Sequence, residues 1–325
     1  MTHTKLFITG GSGYLGRNLI RHFVAKGRPV VALARSDAAV ATVTALGATP
    51  WRGDLLSPDL ADAMADCAEL IHAAADTDHG RATVAQLAAN RDGTENVFAA
   101  AQQAGLNRAV HISTESVLLT GRPLVNATEE QPIPRRAVGG YSRSKAEAER
   151  LALSFNGDGF AVVAVRPRMV WGRDDTTAMP QLLGAARSGQ LAWIDGGHYR
   201  TSSTHIANLC AGVELALAKG RGGEVYFLND GEAWEFRKLV SAMLAAKGVA
   251  VPDKTVPRWL LRSMAMVGDR LAALTNGRVT LPITLQAFAT SAVEVTLDIS
   301  KARQELGYRP VMTIEAGLAE MAQEN

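Results

Sequence analysis

Short β-branched apolar runs alternate with longer alanine-rich segments of helical spacing through the first half of the chain. The predicted strands are Lys5–Thr9, Pro29–Ala34, Thr49–Arg52, Leu70–Ala74, Arg108–Ser113 and Ala161–Arg166. The predicted helices are Gly16–Lys26, Asp37–Leu46, Pro58–Asp66, Val84–Ala104 and Tyr141–Phe155. This alternation predicts an α/β fold in which six strands form a doubly wound parallel sheet with helices on both faces.

The second half of the chain, after Gly172, loses this regular alternation. Helices are predicted at Met179–Ser188, Ile206–Ala218, Glu235–Lys247, Pro257–Asn276, Ser300–Leu306 and Ile314–Ala322, and strands at Leu191–Ile194 and Glu224–Leu228. We find no internal repeat or low-complexity linker. We therefore expect one domain over residues 1–172, joined by strands from about residues 200–230, and a smaller α+β lobe over residues 173–325 that is partly interleaved with the sheet. The proline-containing segment Gly121–Gly140 is predicted to be a surface loop.

Composition excludes several classes of partner. The 34 Lys and Arg residues nearly balance the 32 Asp and Glu residues, and no basic tract occurs, so neither nucleic acid nor a membrane is an expected partner. Cys67 and Cys210 lack metal-ligand spacing and are interpreted as buried reduced thiols. Because the first residues also lack a signal-peptide pattern, we expect a cytoplasmic protein. Charged residues interrupt the apolar segment Trp259–Leu274, which argues against a membrane span and leaves surface attachment as an alternative.

The turn after the first predicted strand carries glycine at three positions, Gly10, Gly13 and Gly16. A turn without Cβ atoms exposes backbone N–H groups beside the positive end of a helix, and this combination binds a pyrophosphate. A glycine-rich loop without a ligand is the alternative interpretation.

The second predicted strand is followed by Arg35, where an NAD-binding turn usually places an acidic residue on the ribose hydroxyls. A guanidinium pairs with a 2′-phosphate and gains little from a plain ribose, so Arg35 favours NADP as the cofactor. Asp37 keeps NAD as an alternative, and Arg35 itself has the alternative of a solvated surface residue.

Two further strand ends add to this candidate cofactor site. Asp54 follows the third strand, where its carboxylate can accept from an adenine amino group or cap the next helix. Ala73, Ala74 and Ala75 follow the fourth strand, and such small residues would let a cofactor lie against the backbone. His72 has no second ligand nearby and is interpreted as a structural histidine. The other histidines show no ligand spacing either, so no metal site is predicted.

Tyr141 and Lys145 stand four residues apart on a predicted helix and therefore share one of its faces. We expect the Lys145 ammonium beside the Tyr141 phenol, where a positive charge would lower the pKa of the tyrosine and make it a proton donor or acceptor near neutral pH. An exposed amphipathic pair is the alternative. The fifth predicted strand ends in Ser113 and Thr114, which favours a hydroxyl at the same cofactor edge.

Seven motifs occur in order along the chain and point to one family. They are Thr9–Gly16, Gly53–Leu55, His72–Ala75, Asn90–Val97, Ile112–Thr114, Tyr141–Lys145 and Arg166–Gly172, and a closing segment follows at Leu297–Pro310. Together they resemble the extended short-chain dehydrogenase/reductase family, the NAD-dependent epimerase/dehydratase-like group. The resemblance covers nearly the whole chain and is specific for the family, though not for the substrate.

The resemblance implies a Rossmann fold that carries a dinucleotide and a C-terminal lobe that shapes the substrate pocket. It implies that Tyr141 is the general acid/base and that Lys145 holds the nicotinamide ribose and depresses the pKa of the tyrosine. Thr114, where the family more often has serine, would hydrogen-bond the reacting oxygen. The other residues implied along the cofactor are Gly10, Gly13, Tyr14, Leu15, Gly16, Arg35, Asp54, Leu55, Ala73, Ala74, Ala75, Ser113, Pro167 and Val170.

Within the family, Met169 occupies a position where nucleotide-sugar epimerases and dehydratases tend to carry asparagine, which favours a less polar substrate. Glu115 after Thr114 matches the dehydratase pattern only in part. The Arg166–Gly172 motif together with Arg35 looks more like the 3β-hydroxysteroid dehydrogenase and dihydroflavonol reductase branches.

We therefore expect an NADP(H)-dependent oxidoreductase that interconverts a secondary alcohol and a ketone. Its substrate would be a moderately hydrophobic small molecule, such as a steroid-like, aryl or 3-oxoacyl ketone. The alternative is a nucleotide-sugar epimerase or dehydratase with tightly bound NAD, and a third hypothesis is a catalytically silent NADP sensor. Family members are often dimers built on two long helices, so a homodimer is also compatible with the resemblance.

Overall fold

Seven parallel strands form the central sheet of the chain. The structure is a computed structural model that describes residues 4–76, 84–135, 137–275 and 283–323. Its strands are β1 (Leu6–Thr9), β2 (Val30–Ala34), β3 (Thr49–Arg52), β4 (Glu69–His72), β5 (Arg108–Ile112), β6 (Leu124–Ala127), β7 (Ala161–Pro167), β8 (Val170–Trp171), β9 (Trp193–Ile194), β10 (Arg200–Thr201), β11 (Thr204–His205), β12 (Val225–Leu228), β13 (Trp234–Glu235), β14 (Thr255–Val256) and β15 (Val295–Leu297). Its helices are α1 (Tyr14–Ala25), α2 (Asp37–Ala45), α3 (Leu60–Met64), α4 (Val84–Gln103), α5 (Gly139–Ser154), α6 (Ala178–Arg187), α7 (Ile206–Lys219), α8 (Phe236–Ala246), α9 (Arg258–Leu274), α10 (Leu285–Ser291) and α11 (Ile314–Gln323).

The order of strands in the central sheet is β12-β7-β5-β4-β1-β2-β3. The predicted doubly wound parallel fold is therefore confirmed, but the sheet has one strand more than the six predicted from the first half of the chain. The additional strand, β12, comes from the second half and pairs with β7, with Val225 opposite Ala164. The chain reverses its direction of travel across the sheet between β1 and β4, so a crevice opens there at the carboxyl ends of the strands.

The central strands are buried on both faces of the sheet. Leu6, Phe7 and Ile8 of β1 have no exposed surface, which explains why the apolar runs lack the alternation of a half-exposed strand. Helices α1, α2 and α7 cover one face through residues such as Phe23, and α3, α4 and α5 cover the other through residues such as Phe98. Burying one such phenyl ring stabilises the fold by about 1.5–3 kcal/mol.

The second half of the chain builds a smaller lobe from short elements. Its four-stranded sheet has the order β13-β10-β15-β6, and β6 lies within the segment Gly121–Gly140. The prediction of a loop over that whole segment is therefore wrong, because Leu124 pairs with Val295 of β15. The predicted helix Ser300–Leu306 is instead a π-helical turn over Ala302–Leu306. Most strands of this lobe are two residues long, too short to leave a periodic pattern in the sequence.

Both cysteines are free and buried. Burial raises the pKa of Cys67 to about 11 and that of Cys210 to about 12, so both thiols stay protonated at neutral pH. Within the described ranges, none of the helices is both long and apolar enough to cross a membrane. The same part of the chain contains no group of three or more His, Cys, Asp or Glu side chains that could hold a metal ion.

Candidate active site

Close backbone contacts require glycine in the turn between β1 and α1. Gly10 has a φ of +71°, and a Cβ there would lie 2.7 Å from the backbone nitrogen of Ala74. A Cβ on Gly16 would overlap the carbonyl oxygen of Gly10. Gly13 is the N-cap residue of α1 and offers no side chain to the first backbone N–H groups of the helix. These donors therefore meet the requirement of a pyrophosphate site.

A chain of side-chain hydrogen bonds fixes the segment after β4 against this turn. Thr94 donates its hydroxyl proton to the carbonyl oxygen of Asn90 (2.6 Å), so it can only accept from Nε2 of His72 (3.1 Å). Nδ1 of His72 then accepts from the Thr9 hydroxyl (2.8 Å), and the Thr9 oxygen accepts from the backbone nitrogen of Ala74 (3.3 Å). Burial lowers the pKa of His72 to about 3. His72 is thus a neutral structural residue.

Asn90 connects the same segment to the helix that carries Tyr141. Its side-chain oxygen accepts from the backbone nitrogen of Asp76 (2.7 Å), and its Nδ2 donates to the Asp76 carbonyl oxygen and to the Ser144 hydroxyl (3.1 Å each). Ser144 lies on α5 and donates to the carbonyl oxygen of Tyr141 (2.9 Å). The sequence marked Asn90 only as part of a motif, because no spacing rule reveals that one amide bridges a loop and a distant helix.

Charged residues stand at the ends of β2 and β3. Arg35 is exposed directly after β2, and no hydrogen bond or ion pair engages its side chain within the described part of the chain. Asp37, which kept NAD as an alternative, is ion-paired with Arg52. Asp54 is exposed, and one of its carboxylate oxygens accepts from the backbone nitrogen of Leu56 (2.8 Å). Asp54 therefore caps the turn after β3 and not the helix that follows.

Tyr141 lies in the first turn of α5 and is hydrogen-bonded to the side chain of Thr114. Burial raises the pKa of the Tyr141 phenol, and the charge of Glu115 raises it further. The expectation that Lys145 lowers this pKa is therefore wrong for this structure. The Lys145 ammonium donates instead to the carbonyl oxygen of Ile112 (2.7 Å). Tyr141 is consequently protonated at neutral pH, the form that can donate a proton.

Lys145 is nearly fully buried beside the ion pair of Glu149 and Arg166. Burial lowers the pKa of Lys145 to about 8, and the charge of Glu149 opposes this shift. Glu149 accepts two hydrogen bonds from Arg166 (2.8 and 2.5 Å) and one from the Ser113 hydroxyl (2.5 Å). Of the two hydroxyls that follow β5, Ser113 is therefore engaged with Glu149, whereas Thr114 contacts Tyr141.

A buried ion pair between Arg168 and Glu115 adjoins Thr114. Arg168 is 1% exposed and Glu115 is 3% exposed. Nη1 of Arg168 donates to Oε1 of Glu115 (2.6 Å), and the other carboxylate oxygen of Glu115 accepts from the Thr114 hydroxyl (2.8 Å). Arg168 also donates to the Thr201 hydroxyl (3.1 Å) and to the Thr290 carbonyl oxygen (2.9 Å). Sequence reasoning missed Arg168, since its partner lies 53 positions away.

The remaining predicted residues lie along the same edge of the sheet. Tyr14 is buried and Leu15 is partly buried at the start of α1, and Ala73–Ala75 are partly buried after β4. Pro167 ends β7 and is buried, and Val170 begins β8 and is partly buried. Leu55 is partly buried after β3, where a Cβ on Gly93 of α4 would lie 2.9 Å from its side chain.

Comparison with known proteins gives a consistent set of relatives. Residues 7–258 match the model of the 3-beta hydroxysteroid dehydrogenase/isomerase family. The chain is 46% identical over 321 residues to the 4-hydroxy-2-methyl-3-oxo-4-farnesyl-3,4-dihydroquinoline-1-oxide ketoreductase of Stigmatella aurantiaca, which covers 98% of this chain and 96% of that protein. It is 32% identical over 322 residues to the 2-alkyl-3-oxoalkanoate reductase of Stenotrophomonas maltophilia, with 97% of each chain covered. The crystal structure of gox2253 is similar, with a TM-score of 0.79, 27% identity and 99% of both chains covered.

Proposed function

Because the chain belongs to the 3-beta hydroxysteroid dehydrogenase/isomerase family of extended short-chain dehydrogenases/reductases, we propose that it is an NADPH-dependent reductase of a moderately hydrophobic ketone. The family and its relatives identify the chain as an NAD(P)-dependent oxidoreductase that acts on a ketone/alcohol pair. The single observation that carries the proposed proton transfer is the hydrogen bond between Tyr141 and Thr114, with Lys145 buried on the same helix.

The residues at the crevice fit a dinucleotide. The close approach of Gly10 to Ala74 and the uncapped start of α1 suit a pyrophosphate. The exposed guanidinium of Arg35 suits a 2′-phosphate, since Asp37 is held by Arg52 and offers less to a plain ribose. This difference favours NADP over NAD as the cofactor.

We assign the cofactor contacts by position along this edge, within a binding domain over residues 1–172. Gly10, Gly13, Tyr14, Leu15 and Gly16 would hold the pyrophosphate, Arg35 the 2′-phosphate, Asp54, Leu55 and Ala73–Ala75 the adenosine, and Ser113, Lys145, Pro167 and Val170 the nicotinamide riboside. When bound, the reduced cofactor supplies a hydride to the carbonyl carbon of the substrate.

In this proposal Tyr141 donates its phenolic proton to the ketone oxygen as the carbon receives the hydride, so the ketone becomes a secondary alcohol. The raised pKa of Tyr141 suits this role, because the phenol is fully protonated before the reaction. Thr114 would orient the reacting oxygen once its hydroxyl proton turns from Glu115 to that oxygen, because a ketone oxygen can only accept. Lys145 would hold the nicotinamide ribose.

The substrate is proposed to be apolar around its ketone. Met169 contributes a thioether where an amide would recognise a sugar nucleotide, and it packs against the apolar cluster that contains Trp171 and Met179. The names of the two relatives, a farnesylated dihydroquinoline ketoreductase and a 2-alkyl-3-oxoalkanoate reductase, support a ketone that carries hydrocarbon groups. The lobe over residues 173–325 would supply the substrate pocket.

The test is a panel of steroid-like, aryl and 3-oxoacyl ketones, with NADPH consumption followed by absorbance. We expect turnover with at least one apolar ketone, and Tyr141→Phe should lower kcat by about 10²-fold or more while NADPH still binds. Tyr226→Phe is the matched control, because this hydroxyl donates to Glu305 on the far edge of the sheet, and it should keep its activity. Conversion of a nucleotide sugar without net NADPH consumption would instead establish the epimerase or dehydratase alternative.

A further inference from the structure

We propose that Glu115, held by Arg168, is a positioning residue that keeps the Tyr141–Thr114 pair in its proton-donating form, and so favours ketone reduction over alcohol oxidation. The inference rests on the proposed function and deepens it. Hydrogen-bond directions, burial and the arrangement of charges around Tyr141 carry it.

The hydroxyl of Thr114 has one proton and two lone pairs. It donates its proton to Oε2 of Glu115 (2.8 Å) and accepts from the backbone nitrogen of Ser116 (3.2 Å). An ionised carboxylate can only accept, which fixes the direction of the bond with Glu115. The remaining lone pair of Thr114 is left for Tyr141, so Tyr141 donates its own proton toward Thr114. The pair is thereby arranged with Tyr141 as the donor.

The position of the Glu115 charge is fixed by Arg168. The guanidinium contacts Oε1 of the carboxylate and is held in turn by Thr201 and Thr290, whereas Oε2 faces Thr114. The negative charge therefore stands between the guanidinium and Tyr141, two hydrogen bonds from the phenol oxygen. Solvent does not screen it, because Glu115 and Arg168 are both buried.

The other charged groups near Tyr141 do not offset this arrangement. Lys145, one turn along α5, directs its ammonium to the carbonyl oxygen of Ile112, and Glu149 lies one turn further along the same helix. The adjacent α10 contributes the neutral side chain of Gln286, which contacts Ser142. A phenolate on Tyr141 would therefore face a buried carboxylate.

Reduction and oxidation depend differently on that phenolate. In reduction, the O–H bond of Tyr141 breaks, the proton goes to the ketone oxygen, and NADPH supplies the hydride that forms the new C–H bond. Solvent then returns a proton to Tyr141, and repulsion from Glu115 favours this return. In oxidation the phenolate must form first, to take the proton of the alcohol while the hydride passes to NADP⁺. Glu115 therefore raises the pH that oxidation of the alcohol requires.

The experiment measures kcat in both directions from about pH 6 to about pH 10, with the ketone found in the panel and its alcohol product. We expect Glu115→Gln to lower the apparent pKa of the alkaline rise in oxidation by about one unit or more. The ratio of oxidation to reduction at pH 8 should rise about ten-fold. Asp230→Asn removes another buried carboxylate, one that Trp171 and Ser203 hold elsewhere, and should leave that apparent pKa unchanged.

An apparent pKa that stays within about 0.3 units of the wild-type value in folded Glu115→Gln would overturn the proposal. Where the unpaired guanidinium prevents folding, Glu115→Gln with Arg168→Met removes both charges, and the same downward shift is expected. A structural role alone would lower thermal stability and both rates without moving the alkaline rise. Failure of the proposed function is recognised separately, because the wild-type chain would then reduce no ketone at all.

Discussion

Acid should destabilise this protein through His72, because the folded chain holds that imidazole neutral. Burial lowers its pKa to about 3 in the fold, against about 6.5 in an unfolded chain. Because the folded-state pKa is depressed, the contribution of neutral His72 to the free energy of unfolding is complete above about pH 6.5 and is lost as the pH falls from there toward 3. The full shift corresponds to about 5 kcal/mol, of which about 2 kcal/mol is lost between about pH 7.5 and about pH 5.

The test is His72→Gln, with the free energy of unfolding measured in urea at several pH values. The variant should be less stable at pH 7.5, yet its stability should fall less steeply below pH 6, by about 1.4 kcal/mol per pH unit for one bound proton. The comparison isolates His72, since His205 and His111 also have lowered pKa values and contribute to the wild-type slope.

An unchanged slope in His72→Gln would refute the reasoning, because the histidine would then bind its proton equally in both states. The same titration has a consequence at the crevice. A protonated His72 donates from both ring nitrogens, so Nδ1 no longer accepts from Thr9. Thr9 in turn supports the backbone nitrogen of Ala74 in the proposed cofactor segment. Because the folded chain keeps His72 neutral down to about pH 3, NADPH affinity should hold through the range in which stability falls and should drop only near pH 3.

Two further predictions concern the cofactor. Arg35→Ser should weaken NADPH binding about ten-fold and leave NADH binding nearly unchanged, because the exposed guanidinium would lose only the 2′-phosphate; calorimetric titration with both nucleotides measures this, and an equal loss for both would contradict the assignment. Gly10→Ala should lower the free energy of unfolding in urea by about 2–4 kcal/mol and abolish NADPH binding, since its Cβ would lie 2.7 Å from the Ala74 backbone. Gly27→Ala is the control, because Gly27 has a similar φ but no neighbouring atoms; it should lower that free energy by only about 1–2 kcal/mol and keep NADPH binding intact.

The sheet could be predicted because its information is local. Continuous apolar runs such as Leu6–Thr9 are long enough to show that both faces are buried, and glycines such as Gly27 and Gly47 end helices in the left-handed conformation. β12 was predicted as a strand with nearly correct bounds, but its place beside β7 depends on a pairing between distant residues. The two-residue strands of the second lobe carry too few positions for any period to appear.

The helix that carries Tyr141 and Lys145 could be predicted from the sequence, but the electrostatics around these residues could not. A spacing of four correctly predicts that Tyr141 and Lys145 share a helix, but a pKa depends on burial and on contacts that cross the fold. The Lys145 ammonium donates a hydrogen bond to the carbonyl oxygen of Ile112, and the Thr114 hydroxyl donates one to Glu115. Neither partner follows from spacing along the helix, which is why the predicted direction of the Tyr141 pKa shift was wrong.

Two carboxylate–arginine pairs act on Lys145 and Tyr141, two of the titratable groups on α5. Glu149, paired with Arg166, opposes the loss of the Lys145 proton, and Glu115, paired with Arg168, opposes the loss of the Tyr141 proton. A nearby negative charge favours the protonated form of both groups, although that form is a cation for lysine and neutral for tyrosine. Burial acts oppositely on the two, lowering the pKa of Lys145 to about 8 and raising that of Tyr141. As the pH rises, Lys145 therefore loses its proton before Tyr141 does. Tyr141 can still donate a proton at pH values at which Lys145 is no longer the cation that we assign to the ribose.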